Sequence, residues 1–173
     1  MVCSSAFAEV PNSSKQVNSG VKQTQKQSNQ SGWQYAKWGM TADQIVQASK
    51  GKARAVYGEE QRKKSNPYYF DCLAVSDFKT GPFEFEVNFR AKLNEKTLDS
   101  VYLNLRNTDQ YEELKDSLRS KYGEGVTTVK GKQIITTWKT KSEVIKLQDF
   151  QEVLRFVSLE YTKRVYGPRG LDL

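Results

Sequence analysis

Residues 83–92 read FEFEVNFRAK, and this stretch decides the fold. Apolar side chains occupy every odd-numbered position, and charged or amide side chains occupy every even-numbered position. A period of two is typical of a β-strand that buries one face and leaves the other in water. The stretch therefore predicts a strand in an antiparallel sheet that is wet on one side.

The apolar segment at residues 97–106 pairs with this strand in one register. A turn over residues 94–96 gives three apolar cross-strand pairs, which are Phe89 with Val101, Val87 with Leu103, and Phe85 with Leu105. The same register sets Glu84 opposite Arg106 on the wet face. Because the apolar pairing and the charge pairing agree, the sequence predicts both this hairpin and its register.

Helices are predicted on both sides of the hairpin. Thr41 and Gln44 have the spacing of a capping box and predict a short helix that follows Thr41. Apolar residues at helical spacing predict a second helix, capped by Thr108 or Asp109 and ending near Tyr122. The other predicted segments are a strand at 54–57, a charged loop at 58–67, and strands at 68–78, 133–139, 143–149 and 152–162.

Tight turns at residues 140–141 and 150–151 set the predicted register of the last three strands. The first turn pairs Ile134 with Leu147, and the second pairs Leu147 with Leu154. One face of these strands then collects seven side chains, which are Ile134, Thr136, Trp138, Ile145, Leu147, Leu154 and Phe156. We expect this face to be packed against a helix.

The order helix, strands, helix, strands predicts an α+β fold in which an antiparallel sheet packs on two helices. It is consistent with two tandem helix–meander repeats, at about 33–107 and 108–163, inside one domain over residues 33–163. Residues 9–32 are polar and lack periodicity, so a disordered linker is expected there. A flexible tail is expected over residues 164–173.

The first residues of the chain predict export. Ala6 and Ala8 flank Phe7 in an A-x-A pattern, which suits the small pockets of a signal peptidase. We interpret residues 1–8 as the remainder of a signal peptide cleaved after Ala8, which predicts a periplasmic or secreted protein. In the alternative interpretation the pattern arises by chance and the protein stays in the cytosol.

Composition excludes several kinds of chemistry. Histidine is absent from the 173 residues, and the net charge is +7. Without histidine, Ser-His and Cys-His nucleophile pairs and most zinc, copper and non-haem iron sites are excluded, so the sequence predicts neither a metal nor a cofactor. Mean hydropathy is −0.72, and no apolar run is long enough to span a membrane. Cys72 lies in an apolar strand, where we expect it to pack as a small hydrophobe.

Residues 38–46, WGMTADQIV, run from an aromatic strand end into a helix through the pattern Gly-x-Thr-x-x-x-Ile. This opening resembles that of many small exported bacterial proteins of unknown function. It is also similar to the start of outer-membrane-assembly lipoproteins and of β-lactamase-inhibitor-like modules, although a convincing lipobox cysteine is missing. The resemblance covers about ten residues by motif and the rest by element order. It implies a helix-plus-meander fold and a binding or scaffolding role, with no catalytic residues to carry over.

Two groups of side chains are candidates for binding. The first is a set of basic residues followed by aromatic ones: Arg62, Lys63, Lys64, Tyr68 and Tyr69. Such a set can hold phosphates and stack bases, or it can contact anionic lipid headgroups, but a solvated loop is the favoured interpretation. The second is the aromatic cluster of Trp33, Tyr35 and Trp38, in which Trp33 and Tyr35 are expected to be partly exposed.

The carboxylates at positions 71, 77, 84 and 86 could support acid–base chemistry if one of them were desolvated in a cleft. Alternation with apolar residues predicts instead that they are solvated. We therefore expect a non-enzymatic binding or scaffolding protein of the bacterial envelope. Its expected partner is another envelope protein, with peripheral contact to anionic lipid and without nucleic acid. Two alternatives stay open, a histidine-independent carboxylate hydrolase or lyase and a basic nucleic-acid-binding module.

Overall fold

The computed structural model describes residues 31–151 and 155–166. Its helices are α1 (Ala42–Ser49), α2 (Gly58–Lys64) and α3 (Tyr111–Tyr122), and a 3₁₀ turn (Thr108–Gln110) precedes α3. Its strands are β1 (Gly32–Trp33), β2 (Ala36–Lys37), β3 (Ala53–Ala55), β4 (Phe70–Thr80), β5 (Phe83–Lys92), β6 (Ser100–Leu105), β7 (Val126–Lys130), β8 (Gln133–Lys139), β9 (Glu143–Phe150) and β10 (Phe156–Lys163). The predicted α+β fold with an antiparallel sheet is confirmed.

The two predicted end segments are described in part. The predicted signal-peptide remainder and residues 9–30 of the predicted linker lie outside the described residues, whereas Gly32 belongs to β1. Residues 164–166 of the predicted tail are held by hydrogen bonds. The Arg164 backbone N–H donates to the Ser142 carbonyl at 2.8 Å, and the Tyr166 hydroxyl donates to the Lys141 carbonyl at 2.9 Å.

Strands β3 to β10 form one antiparallel sheet in the order β3-β4-β5-β6-β10-β9-β8-β7, and β1 and β2 form a separate hairpin. Each half of the chain contributes four consecutive strands to this sheet, β3–β6 from the first half and β7–β10 from the second. The last strands of the two halves, β6 and β10, pair at the centre of the sheet, where Leu103 lies opposite Leu159. The sheet is therefore continuous across both halves.

Alternation along the strands gives this sheet two different faces. The covered face packs against α1, α3 and the β1–β2 hairpin, and one buried cluster joins Ile45 of α1 and Leu114 of α3 to the sheet. Phe85, Val87 and Phe89 of β5 belong to the same cluster and are buried. The even-numbered residues of β5 lie on the opposite side of the sheet, which we call the open face.

The predicted β5–β6 hairpin is confirmed in all three apolar pairs, which are Phe85 with Leu105, Val87 with Leu103, and Phe89 with Val101. The Arg106 backbone N–H also donates to the Glu84 carbonyl at 2.9 Å, as that register requires. The side-chain ion pair predicted between these two residues is wrong, because both side chains pair with β4. Arg106 contacts Asp77, and Glu84 contacts Lys79, which lies directly opposite it.

Helix ends follow the local sequence. The capping box at Thr41 and Gln44 is present in α1 as predicted. The cap before α3 is Asn107, whose side chain accepts a hydrogen bond from the Asp109 N–H at 3.2 Å. The prediction of Thr108 or Asp109 as this cap is therefore wrong, because residues 108–110 already form the 3₁₀ turn.

The charged segment after β3 is helical, and the prediction of a loop over residues 58–64 is wrong. Acidic residues occupy the first turn of α2 and basic residues occupy the last turn, which complements the helix dipole at both ends. Glu59 and Lys63 form an ion pair one helical turn apart, with 2.8 Å between Oε1 and Nζ. Charge order thus stabilises a helix that has no buried residue of its own.

The registers of the last strands differ from the prediction by different amounts. Thr136 lies opposite Leu147, a shift of two residues, because the β8–β9 turn lies at residues 141–142, one residue later than predicted. The Thr140 N–H donates to the Glu143 carbonyl at 2.9 Å across this turn. Leu147 lies opposite Leu159 on β10, a shift of five residues. An odd shift turns a strand over. Phe156 therefore lies on the open face, and the prediction that places it on the covered face is wrong.

Asp149 is a buried carboxylate on the covered side of β9, with no exposed surface. Arg155 donates to it from two nitrogens at 3.0 and 2.9 Å, and the Gln151 side chain donates at 3.2 Å. Burial alone would raise the pKa of Asp149, but these hydrogen bonds outweigh burial and hold the pKa below its ordinary value. The ionised carboxylate is therefore the form that stabilises the native state.

The Asp149→Asn variant is expected to lose about 2 kcal/mol in the free energy of unfolding at neutral pH, because charge-assisted hydrogen bonds are lost. The pKa of Asp149 is lowered in the native state. Its contribution in the wild type is therefore complete above the ordinary carboxyl pKa of about 3.9 and disappears as pH falls through the native value. Urea denaturation between neutral and acidic pH measures both effects. Exposed Asp116, changed to Asn, is the control, and an equal loss there would contradict the assignment.

Candidate binding surface on the open sheet face

The open face is covered at one end. There α2 packs against β4, and the Lys64 ammonium contacts the Glu86 carboxylate at 2.6 Å. Val56, Cys72 and Val75 form a small buried cluster in this region. Across β6, β10 and β9, the open face consists of the side chains of the strands themselves.

A row of rings and one guanidinium group crosses five strands on this face. Its members, the aromatic row, are Phe70 of β4, Arg90 of β5, Tyr102 of β6, Phe156 of β10 and Phe150 of β9. The Arg90 guanidinium carbon lies 3.8 Å from the centre of the Phe70 ring and 3.6 Å from that of Tyr102. Tyr102 stacks on Phe156 with ring centres 6.2 Å apart, and Phe156 contacts Phe150 at 5.7 Å. The row is therefore continuous from β4 to β9.

Arg90 is held between two rings rather than by a carboxylate. Burial lowers the pKa of Arg90, and the neighbouring Tyr102 acts in the opposite direction. Arginine nevertheless stays charged, and a desolvated cation between aromatic faces gains about 2 kcal/mol or more. Tyr102 accepts a hydrogen bond from Ser158 at 2.6 Å, and burial raises the pKa of its phenol. The middle of the row is thus rigid.

Two buried polar atoms on the open face lack a hydrogen-bond partner within the described residues. They are Nε of Arg90 and Oδ1 of Asn104. Both atoms have almost no accessible surface, so a bound molecule reaches them only if neighbouring side chains move. The parts of the aromatic row that a partner can contact directly are its exposed ring surfaces.

Ion pairs border the row on both sides. The Lys64 and Arg106 cations contact Glu86 and Asp77, and the Lys146 ammonium lies 3.4 Å from Glu160. These pairs are partly exposed, so each contributes little to stability. They give the aromatic row a polar border that contains both positively and negatively charged side chains.

The predicted basic and aromatic segment reaches the edge of this surface. Lys64 joins the open face through Glu86, while Arg62 and Lys63 are exposed on α2. Tyr68 and Tyr69 precede β4 and are 80% and 76% exposed. Their rings meet edge to face with centres 6.5 Å apart, directly before Phe70 in the chain.

The predicted aromatic cluster lies on the covered side of the sheet. Trp33 and Trp38 are each 7% exposed, so the expectation that Trp33 is partly exposed is wrong. Trp33 contacts Phe78 at 5.2 Å and Phe89 at 5.9 Å between ring centres, and these contacts bury it. Tyr35 is half-buried beside it, as expected.

None of the members of the aromatic row was predicted as a binding residue, although alternation correctly placed Arg90 on the wet face. Tyr102 shares the wet face of the predicted hairpin with Glu84, so its position in the alternation already places a ring on that face. The wrong predicted register of β10 placed Phe156 on the covered face, so its position on the open face was not predicted. The stacking of Arg90 between rings joins β4 to β6, and alternation within one strand carries no information about such a contact.

A cleft on the covered side has a volume of about 560 Å³. Its floor is apolar and includes Phe85, Leu103 and Leu159, and α3 forms one wall. Tyr161 and Tyr122 also line it, and burial raises the pKa of Tyr161. A cleft of this size and composition can hold a small apolar molecule.

The carboxylates considered for catalysis are engaged in other contacts. Asp77, Glu84 and Glu86 each contact a cation, and Asp71 accepts a hydrogen bond from the Asn94 N–H at 3.2 Å. The hydrogen bond from Lys79 lowers the pKa of Glu84, whereas a general acid needs a raised pKa. Over residues 31–151 and 155–166, no group of three metal-ligating side chains comes together. None of the helices in those ranges is both long and apolar enough to cross a membrane.

The chain matches no protein-family model, and the comparisons with curated proteins and with solved structures found no match. Functional inference therefore rests on the geometry of the open face and of the cleft.

Cys72 is buried, as predicted, and burial raises the pKa of its thiol to about 11. In a Cys3→Ser variant, which leaves Cys72 as the one thiol of the chain, we expect a disulfide reagent at neutral pH to react at least about a hundredfold more slowly than with an unfolded chain. Absorbance of the released thiolate measures the rate. Addition of denaturant is the control, and fast labelling without denaturant would contradict the buried position.

Proposed function

We propose that the protein is an exported, non-enzymatic binding protein of the bacterial envelope, which recognises another envelope protein through the aromatic row. The observation that carries the proposal is this row on the open face, in which Arg90 lies between two rings and Tyr102 stacks on Phe156. Aromatic rings and arginine are the side chains that protein interfaces concentrate at their centres.

The arrangement favours binding at low entropic cost. Arg90 and Tyr102 are held by stacking and by the bond to Ser158, so little side-chain freedom remains for a partner to remove. Phe156 is 37% exposed and offers its ring for burial. The bordering ion pairs supply a polar rim, which contributes to specificity more than to affinity.

A protein partner is favoured over a nucleic acid by the charge around the row. Affinity for phosphates comes from cations that replace condensed counterions. Lys64, Arg106 and Lys146 already contact carboxylates. A nucleic acid would have to compete with these contacts, whereas a protein surface can combine rings with ion pairs.

Phe156 is the residue to test. A photo-cross-linking phenylalanine analogue at position 156, in the cells that produce the protein, is expected to capture a partner that mass spectrometry identifies. With that partner purified, the Phe156→Ser variant is expected to bind about thirtyfold more weakly, because a buried ring at an interface centre contributes about 2 kcal/mol. The Phe156→Tyr variant should retain most of the affinity.

Tyr57 provides the matched control, since it is 66% exposed and is not a member of the aromatic row. The analogue at position 57 should not cross-link the partner that is captured from position 156. The Tyr57→Ser variant should bind that partner with unchanged affinity. Equal capture from both positions, or full affinity in Phe156→Ser, would contradict the proposed surface. Binding that falls steeply with salt and requires nucleic acid would favour the nucleic-acid alternative.

Export has its own test. The small residues Ala6 and Ala8 support cleavage after Ala8. Mass spectrometry of the protein from separated cell fractions is expected to find a chain that begins at Glu9 in the envelope fraction. A chain that retains Met1 in the cytosol would contradict export and would leave the binding surface to be tested against cytosolic partners.

A further inference from the structure

The two edges of the large sheet are protected to different degrees. β3 has 3 residues and contacts α1, and its Arg54 pairs with Glu60 of α2. β7, at the other edge, has 5 residues, all of them exposed. Val126 and Val129 are 73% and 65% exposed, although such residues favour strands and burial. Proteins usually shield an edge of this kind with charged residues such as lysine, with proline, with a bulge or with a covering element. β7 has a lysine only at its end, Lys130, it has no proline, and its register with β8 is regular.

The β7–β8 hairpin decides which backbone groups of β7 point away from the sheet. Its turn consists of Gly131 and Lys132, and Lys130 lies opposite Gln133. In a hairpin with a two-residue turn, the two residues that flank the turn bond to each other through both of their backbone N–H and C=O groups. Lys130, Thr128 and Val126 therefore bond to β8. The N–H and C=O groups of Thr127 and Val129 point outward.

The segment around β7 is complementary to itself when paired antiparallel. Residues 124–132 read EGVTTVKGK. With Thr128 on a twofold axis, the outward-bonding Val129 faces Thr127 of a second copy, so the free backbone groups meet each other. All five residues of β7 are then paired, and Lys130 faces the second copy's Val126. The methylene stem of Lys130 covers that exposed valine.

The same register makes the charges complementary. Lys132 becomes level with Glu124 of the second copy at each end of the interface, and Lys130 is the diagonal neighbour of that carboxylate. Glu124 is 85% exposed, with Arg119 at a distant 3.8 Å, so its carboxylate is accessible. Each glutamate thus meets two lysines, and the pairing occurs twice because the interface is symmetric.

We infer that β7 is a dimerisation edge, through which two copies of this chain pair antiparallel around Thr128 and form one continuous sheet. The twofold axis is perpendicular to the sheet, so the open faces of both copies point to the same side. β8 separates β7 from the last member of the aromatic row, Phe150 on β9. The inference therefore does not depend on the function proposed for that row.

Sedimentation velocity of the full chain over a range of concentrations tests the dimer. A reversible monomer–dimer equilibrium is expected for the wild type. The Lys132→Glu variant should dimerise about tenfold more weakly, because it places like charges together twice. Adding Glu124→Lys to that variant should recover part of the lost affinity, because the exchanged charges at positions 124 and 132 attract again, whereas the new charge at position 124 repels Lys130. Lys141→Glu, the same charge change in the β8–β9 loop, is the control and should have no effect.

A second measurement on the wild type avoids any effect of substitution on folding. The Thr127 and Val129 amides should exchange their hydrogens more slowly as concentration rises, whereas the Thr128 amide should be insensitive to it. A monomer at every concentration would overturn the inference. So would a dimer that weakens equally in Lys132→Glu and Lys141→Glu, or a double variant that dimerises no more tightly than Lys132→Glu alone.

Discussion

The antiparallel pairing of β6 with β10 is the contact on which the rest of the structure depends. It joins the last strand of one half to the last strand of the other, with Leu103 opposite Leu159. Both leucines belong to the buried cluster that also contains Ile45 and Leu114 from the two covering helices. The halves thus share one hydrophobic core, and neither half buries its covered face alone.

This central pairing also assembles the surface on the other side of the sheet. Arg90 comes from the first half and Phe156 from the second, and Tyr102 contacts both. Because side chains alternate along a strand, every strand that packs one face on the core has a second face on the other side of the sheet. That second face usually carries solvated charges, whereas here it carries aromatic rings. The ion pairs bordering the rings keep this apolar strip narrow and surrounded by polar groups.

Local pattern was sufficient for about half of the fold. The strict alternation of β5 fixed its face and its register with β6, and the Thr41 capping box placed α1, because both depend on residues close in the chain. β10 was misplaced because its connection is longer than a tight turn, and an odd error in register reverses a strand. β7 was overlooked because it is exposed on both faces and so shows no alternation. The aromatic row depends on five strands in the correct order, which no single segment encodes.

The position of β10 has a consequence for how the protein is made. Over residues 31–151 and 155–166 it is the last strand in sequence, and yet it lies in the middle of the sheet. While the polypeptide emerges from the ribosome, the edges of β6 and β9 lack their neighbour until Phe156–Lys163 has been synthesised. The sheet is therefore completed only when β10 has been made, so the two halves close together in one late step rather than one after the other.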